Sequence, residues 1–194
     1  MAGVGCQPRR GDIDQRRGSP LRKKMPPTTK APKGRHNYNK ITTMSQSLSK
    51  LYVHLVFSTK DRINMIPPNE LSNVHAYVAE VFNAQHNPAI CVGGTTNHIH
   101  ILFVLNKTTT IADIVRVVKS TTSKWINTQR GVMSHPFCWQ EGYGAFSVSN
   151  NHVDAVADYI RGQEEHHKHV SFQDEIRRMC QLYHIDLDER YAWI

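Results

Sequence analysis

The run "HIHILFVL" over residues 98–105 constrains the fold most tightly. It reads as a buried strand, and in a strand residues i and i+2 point to the same face. His98 and His100 therefore project side by side, while Ile99, Ile101 and Phe103 face the other way. If the isoleucines pack against helices, both imidazoles fall on the open face of the sheet. Two protonated imidazoles repel each other, whereas a divalent ion favours both as neutral ligands. Ordinary exposed histidines on an open sheet face fit the same pattern, and the pair alone does not decide between them.

The surrounding chain supplies the other elements. "KLYVHLVFSTK", from Lys50, is β-branched and aromatic and reads as a first strand. After Pro67-Pro68, Leu71, Val74, Val78, Val81 and Phe82 recur at helical spacing, and a proline is well tolerated at a helix start. "AICVGGTTN" and "HIHILFVLN" form two strands with a turn near Gly93-Gly94. Thr110 and Asp113 are a capping pair for a second helix, whose buried stripe is Ile111, Ile114, Val115, Val118, Trp125 and Ile126. "FCWQEGYGAFSVS" is a further strand region turning near Gly142 or Gly144. A helix then opens at Asn151, with Asp154 three positions on, and buries Val153, Val156, Ala157 and Ile160. Ser171 and Asp174 cap a last helix carrying Phe172, Ile176, Met179 and Tyr183. Strand–helix–strand–strand–helix–strand is the split βαβ order of an α+β, ferredoxin-like fold: an antiparallel sheet with helices on one face, followed here by C-terminal helices. That fold serves many functions, so the site has to decide.

Charge bounds the choice of partner. The net charge is +8, but residues 1–50 hold 12 of the 24 Lys and Arg against only Asp12 and Asp14. The remaining residues are slightly acidic, so global charge does not make the ordered part a nucleic-acid binder. Residues 1–47 are rich in Pro, Gly, Lys, Arg and Thr and read as a basic, disordered extension, or as sequence upstream of a start at Met44. The ordered domain is expected over 48–194. Cys6, Cys91, Cys138 and Cys180 are widely spaced, which fits reduced cytoplasmic thiols rather than a disulfide framework or zinc ribbon. No stretch is apolar enough to span a membrane, and the N-terminal Arg and Lys are not followed by the apolar core expected of a secretory signal.

Other candidate groups lie near the histidines. His54, in the first strand, shares their face if the two strands are neighbours. On a helical wheel, Tyr159 and Gln163 fall within about 40° of each other, at the edge of the Val153/Val156/Ile160 stripe. The run "EEHHKH", Glu164–His169, looks rich in metal donors but reads as a solvated helix end beside Gly162.

Together these residues resemble the HUH superfamily, and more closely the single-tyrosine transposases of insertion sequences that move as single-stranded DNA, with REP-associated tyrosine transposases as relatives. The likeness runs from about Leu51 to Trp193. It rests on "HLVFSTKDR", "HIH", "VVKSTTSKWI", "FCWQEGYGAFSVS", "YIRGQ" and "DERYAW". Arg161-Gly162 departs from the usual acidic or amide pair between Tyr and Gln, and Gly162 costs about 1 kcal/mol of helix propensity relative to Ala.

The resemblance implies that His98, His100 and Gln163 hold one Mg²⁺ or Mn²⁺; His54, read from its strand alone, is either a supporting group for those ligands or simply a packed histidine. Tyr159 would attack the scissile phosphate, giving a 5′-phosphotyrosine and a free 3′-hydroxyl. It further implies terminal DNA hairpins as substrates and a homodimer in which the tyrosine helix completes the partner's site. Lys60, Arg62, Arg116, Lys119 and Lys124 are candidate phosphate contacts. Two other classes stay open. One is a domesticated DNA-hairpin binder. The other is a metal-dependent hydrolase that activates water and needs no Tyr159. An RNA-recognition module of this fold is disfavoured, because no aromatic RNP-type run lies on a strand.

Overall fold

The structure is a computed structural model and describes residues 47–130 and 136–193. The basic extension and Met44 lie outside the described residues.

Four strands, β1 (Leu51–Ser58), β2 (Ala89–Gly94), β3 (His98–Leu105) and β4 (Gly144–Val148), form one sheet in the order β2-β3-β1-β4. Every neighbouring pair is antiparallel. Helices α1 (Leu71–Ala84) and α2 (Ile111–Arg130) complete the expected βαββαβ order. The chain then continues through α3 (Val153–Arg161), α4 (Gln163–His166), α5 (Phe172–Leu182) and α6 (Glu189–Ala192).

Period-two alternation divides the sheet cleanly. Val53, Leu55, Phe57, Ile99, Ile101 and Phe103 join the apolar faces of α1 and α2 in the main core. All five predicted α1 positions are buried. The Thr110 cap forms as read: its Oγ1 accepts from Asp113 N at 3.1 Å and donates to the Asp113 carboxylate at 2.7 Å. The Ser171 cap of α5 likewise accepts from Asp174 N.

The second sheet face departs from expectation. It is not open, because α3 packs on β2 and β3, where Leu102, Val148, Ala157 and Ile160 make a second apolar cluster. Helices cover both faces. Four local expectations also shift. Gly93 and Gly94 end β2, and the turn is Thr95–Asn97. Gly144 opens β4 rather than turning the chain. Asn151 lies in a short 3₁₀ turn and does not cap α3, which starts at Val153 with no side-chain cap. The helix from Ser171 is followed by α6, and its most buried residues are Glu175 and Cys180.

His75 on α1 is half-buried, with its Nε2 atom sealed and unpartnered, and lines an open pocket with Ala89–Val92 of β2. Burial pulls its pKa from 6.5 down to about 4. Between those values the unfolded chain binds the proton and the folded chain does not, so this contribution to stability is lost as pH falls through the window. Urea unfolding across that range should show a falling wild-type stability and a shallower fall for His75→Ala. An unchanged slope would refute a buried neutral imidazole.

Candidate metal and tyrosine site

The antiparallel register of β1 on β3 pairs Val56 with His100 and Ser58 with His98, which puts His54 diagonally beside His100. His98 and His100 are 1% and 0% exposed, so neither is an ordinary surface histidine. Each imidazole is held by its Nδ1 atom. That of His98 bonds Asn97 Oδ1 at 2.7 Å and Thr95 Oγ1 at 3.0 Å, and that of His100 meets His54 Nε2 at 2.9 Å. His54 thus shares the face of the histidine pair, as expected of neighbouring strands, and packs against His100.

Tyr159 on α3 and Gln163 on α4 both reach this group, although the helix breaks between them at Gly162. Gln163 is buried, with Oε1 3.3 Å from His98 Nε2 and Nε2 donating to Glu175 Oε1 at 2.9 Å. The Tyr159 ring lies edge-on to His100 and His54, with centroids 6.0 and 6.2 Å away, and its hydroxyl donates to Glu175 Oε1. Tyrosine and histidines thereby meet within one chain.

Two side chains missed in the sequence complete the group. His167, from the run read as solvated, turns inward: Nδ1 bonds Val170 O at 2.7 Å and Nε2 bonds Glu175 Oε2 at 3.1 Å. Its neighbours Lys168 and His169 do stay in solvent. Glu175 of α5 is 2% exposed. His98, His100, His167 and Glu175 each offer one donor atom, all within 4.8 Å of one another, a grouping able to hold a metal ion. The buried Nε2 of His100 supports that fit, because it has no hydrogen-bond partner and lies 3.4 Å from Glu175 Oε2. Both missed residues had a signal. His167 continues the i, i+4 series of Tyr159 and Gln163, and Glu175 sits inside the Phe172/Ile176/Met179 stripe.

The electrostatics follow from burial. Desolvation, reinforced by the neighbouring imidazoles, lowers His98 well below its usual range, and burial with His100 alongside brings His54 down to about 3. Desolvation alone would raise Glu175, but the adjacent His100 imidazole and hydrogen bonds from His167 and Tyr159 outweigh it and hold the carboxyl well below the carboxylate range. Desolvation also lowers His167, and the Glu175 carboxylate with the Val170 carbonyl reverses this to a net rise. Burial, then the hydrogen bond to Glu175, raises the Tyr159 phenol.

The basic candidates separate. Lys119 is not a free phosphate contact: its ammonium donates to the carbonyls of Gln140, Glu141 and Gly142 at 2.6, 3.2 and 2.6 Å and lies over the Phe57 ring. Arg62 donates to Trp193 O at 2.9 Å and borders an open cleft of about 570 Å³. Thr95–Asn97, His167 and Ser171–Gln173 also line that cleft. Lys60, Arg116 and Lys124 are exposed, Arg116 in an ion pair with Asp113.

Comparison with known proteins agrees with this architecture. The sequence profile of the family described as IS200-like transposases matches residues 47–163. The chain belongs to that family. Its fold is similar to a candidate transposase from Deinococcus radiodurans R1, with TM-score 0.50 and 16% identity over 63% of this chain and 98% of that one. A REP-associated tyrosine transposase bound to a REP hairpin is also similar, with TM-score 0.48 and 13% identity over 67% and 76% of the two chains. No curated protein matches the sequence. Among the described residues, no helix is long and apolar enough to cross a membrane.

Glycine sets the height of α3 above the sheet. A Cβ on Gly93 would stand 2.4 Å from the Ile160 carbonyl oxygen, one residue from Tyr159, so only a shift of the helix backbone relieves it. Gly93→Ala should cost about 1–3 kcal/mol, the range for overpacking. Gly142→Ala, where nothing lies within 4 Å, is the control. Equal urea midpoints for the two variants would refute the close approach.

Proposed function

We propose that residues 48–194 cleave and rejoin single-stranded DNA through a 5′-phosphotyrosine on Tyr159, with a divalent ion, Mg²⁺ or Mn²⁺ on the family resemblance, held by His98 and His100 beside Gln163. The observation that carries this reading is a shared carboxylate. Tyr159 donates to Glu175 Oε1, while Oε2 of the same group faces His100 and His167. One side chain thus ties the nucleophile to the ion-binding imidazoles.

When bound, the ion would polarise the scissile phosphate and offset charge on its oxygens. Tyr159 Oη attacks the phosphorus, forming a P–O bond as the bond to the 3′ oxygen breaks. Its raised pKa keeps the phenol protonated at rest. Glu175 Oε1 accepts the hydroxyl's hydrogen bond and so orients the nucleophile, and the phenol proton leaves to solvent as the P–O bond forms. The departing 3′ oxygen takes a proton from solvent and leaves as a hydroxyl. The ester conserves the phosphodiester's free energy, so a 3′-hydroxyl from another DNA end can reverse the step without ATP.

The cleft beside His167 offers the strand a polar approach, with Arg62 on its wall. Lys60, Arg116 and Lys124 are the remaining candidate phosphate contacts. The resemblance also supplies terminal hairpins as the feature recognised. It supplies a homodimer as well, with one site for each of the two DNA ends joined.

The test is a denaturing gel of the protein with labelled single-stranded DNA from the ends of its element, with divalent ion or EDTA. Wild type should give a protein–DNA adduct that EDTA and Tyr159→Phe abolish. Cleavage persisting in Tyr159→Phe would identify water as nucleophile and a hydrolase. Binding without cleavage in any ion would indicate a hairpin-binding protein.

A further inference from the structure

We infer that this chain binds its ion through four side chains, His98, His100, His167 and Glu175, making a site that selects a borderline transition ion of the Zn²⁺ class over Mg²⁺. The inference rests on the metal-dependent reading above: it keeps the divalent ion, adds two donors and moves the preference from Mg²⁺ to the transition ions. On this assignment Gln163 is a positioning residue rather than a ligand.

Three observations support it. First, the anchoring is repeated three times: each of the three imidazoles is fixed through Nδ1, by Asn97 and Thr95, by His54, and by the Val170 carbonyl. Outer hydrogen bonds of this kind orient ligating histidines, leaving the other nitrogen for the ion. Second, those other nitrogens converge on one place, that of His98 lying 3.3 Å from Gln163 Oε1. His100 Nε2 and His167 Nε2 lie 3.4 and 3.1 Å from Glu175 Oε2, and the donor atoms of all four residues fall within 4.8 Å of one another. The Nε2 of His100 is sealed from solvent without a hydrogen-bond partner, an arrangement that wants an occupant. Third, the Glu175 carboxylate has its two oxygens in different employment. Oε1 accepts from Tyr159 and from Gln163, whereas Oε2 faces the imidazoles. Gln163 therefore turns the carboxylate so that Oε2 meets the ion.

The donor types set the preference. Mg²⁺ favours oxygen ligands in near-octahedral array and retains several waters, which a buried group of three imidazoles does not supply. Imidazole nitrogen suits zinc and its transition-metal neighbours, which accept such nitrogen-rich sets with a single carboxylate.

The experiment titrates chelator-stripped full-length protein with Co²⁺, read by its visible absorption, and then competes with Zn²⁺ or Mg²⁺. Wild type should bind one Co²⁺ per chain, Zn²⁺ should displace it near equivalence, and millimolar Mg²⁺ should leave it in place. His167→Ala and Glu175→Ala should each weaken binding by more than about 100-fold, and Gln163→Ala by on the order of tenfold, as for an outer hydrogen-bond partner. Circular dichroism checks folding, and Glu175→Gln replaces Glu175→Ala if the latter unfolds. Wild-type affinity in folded His167→Ala and Glu175 variants, with binding lost in His98→Ala, would overturn the four-donor set and leave the histidine-pair reading standing. Unchanged binding in His98→Ala and His100→Ala as well would overturn both. Displacement of Co²⁺ by millimolar Mg²⁺ would overturn the selectivity.

Discussion

The register between β1 and β3 is the constraint on which the rest depends. Side chains alternate strictly along a strand, so a slip of one residue would exchange the two faces of the sheet. His98 and His100 would then enter the α1/α2 core, and Ile99 and Ile101 would face α3. The apolar partners Val53, Leu55 and Phe57 hold the pairing against that slip, because all are buried on the core side. The same register delivers His54 to His100 from the neighbouring strand. A core of ordinary hydrophobic residues therefore fixes, from behind, the orientation of every imidazole contributed by the sheet.

A second constraint acts from the opposite side. Glu175 is a carboxylate taken almost wholly out of water, which is costly unless its lone pairs are met. Tyr159, Gln163 and His167 donate to it, and the His100 imidazole lies against it. The demand is mutual: the histidines and the phenol would be poorly satisfied without the carboxylate. Four elements, β3, α3, α4 and α5, are consequently locked around one functional group, while the break at Gly162 lets Tyr159 and Gln163 settle separately.

Much of this was legible in the sequence, for definite reasons. Alternation in "HIHILFVL" and the 3.6-residue period of α1 report burial directly, and the Thr110 and Ser171 caps are local devices that depend on nothing distant. The pairing of Tyr159 with Gln163 on one face also survived the helix break. Less legible was anything decided by a second layer. An open sheet face and a covered one carry the same strand pattern, so the cover supplied by α3 went unread. In "EEHHKH" His166 and His167 turn inward while His169 stays in solvent, and composition alone does not tell the three apart. Glu175 was passed over because a lone acid among apolar residues looks like the edge of a stripe. Lys119 was misjudged for the converse reason, since the loop carbonyls that engage it lie twenty residues and more along the chain.

The boundary of the family match has an implication for how such elements decay. The profile that identifies the family ends at residue 163, whereas His167 and Glu175 follow it. A frameshift just beyond Gln163 would leave the whole matched span intact, the two-histidine strand and the tyrosine included. It would nonetheless remove the third imidazole and the acid that receives the tyrosine hydroxyl. Counting intact copies of an element by its recognisable motifs would then overstate how many encode a whole site; an inventory of functional copies has to extend through α5.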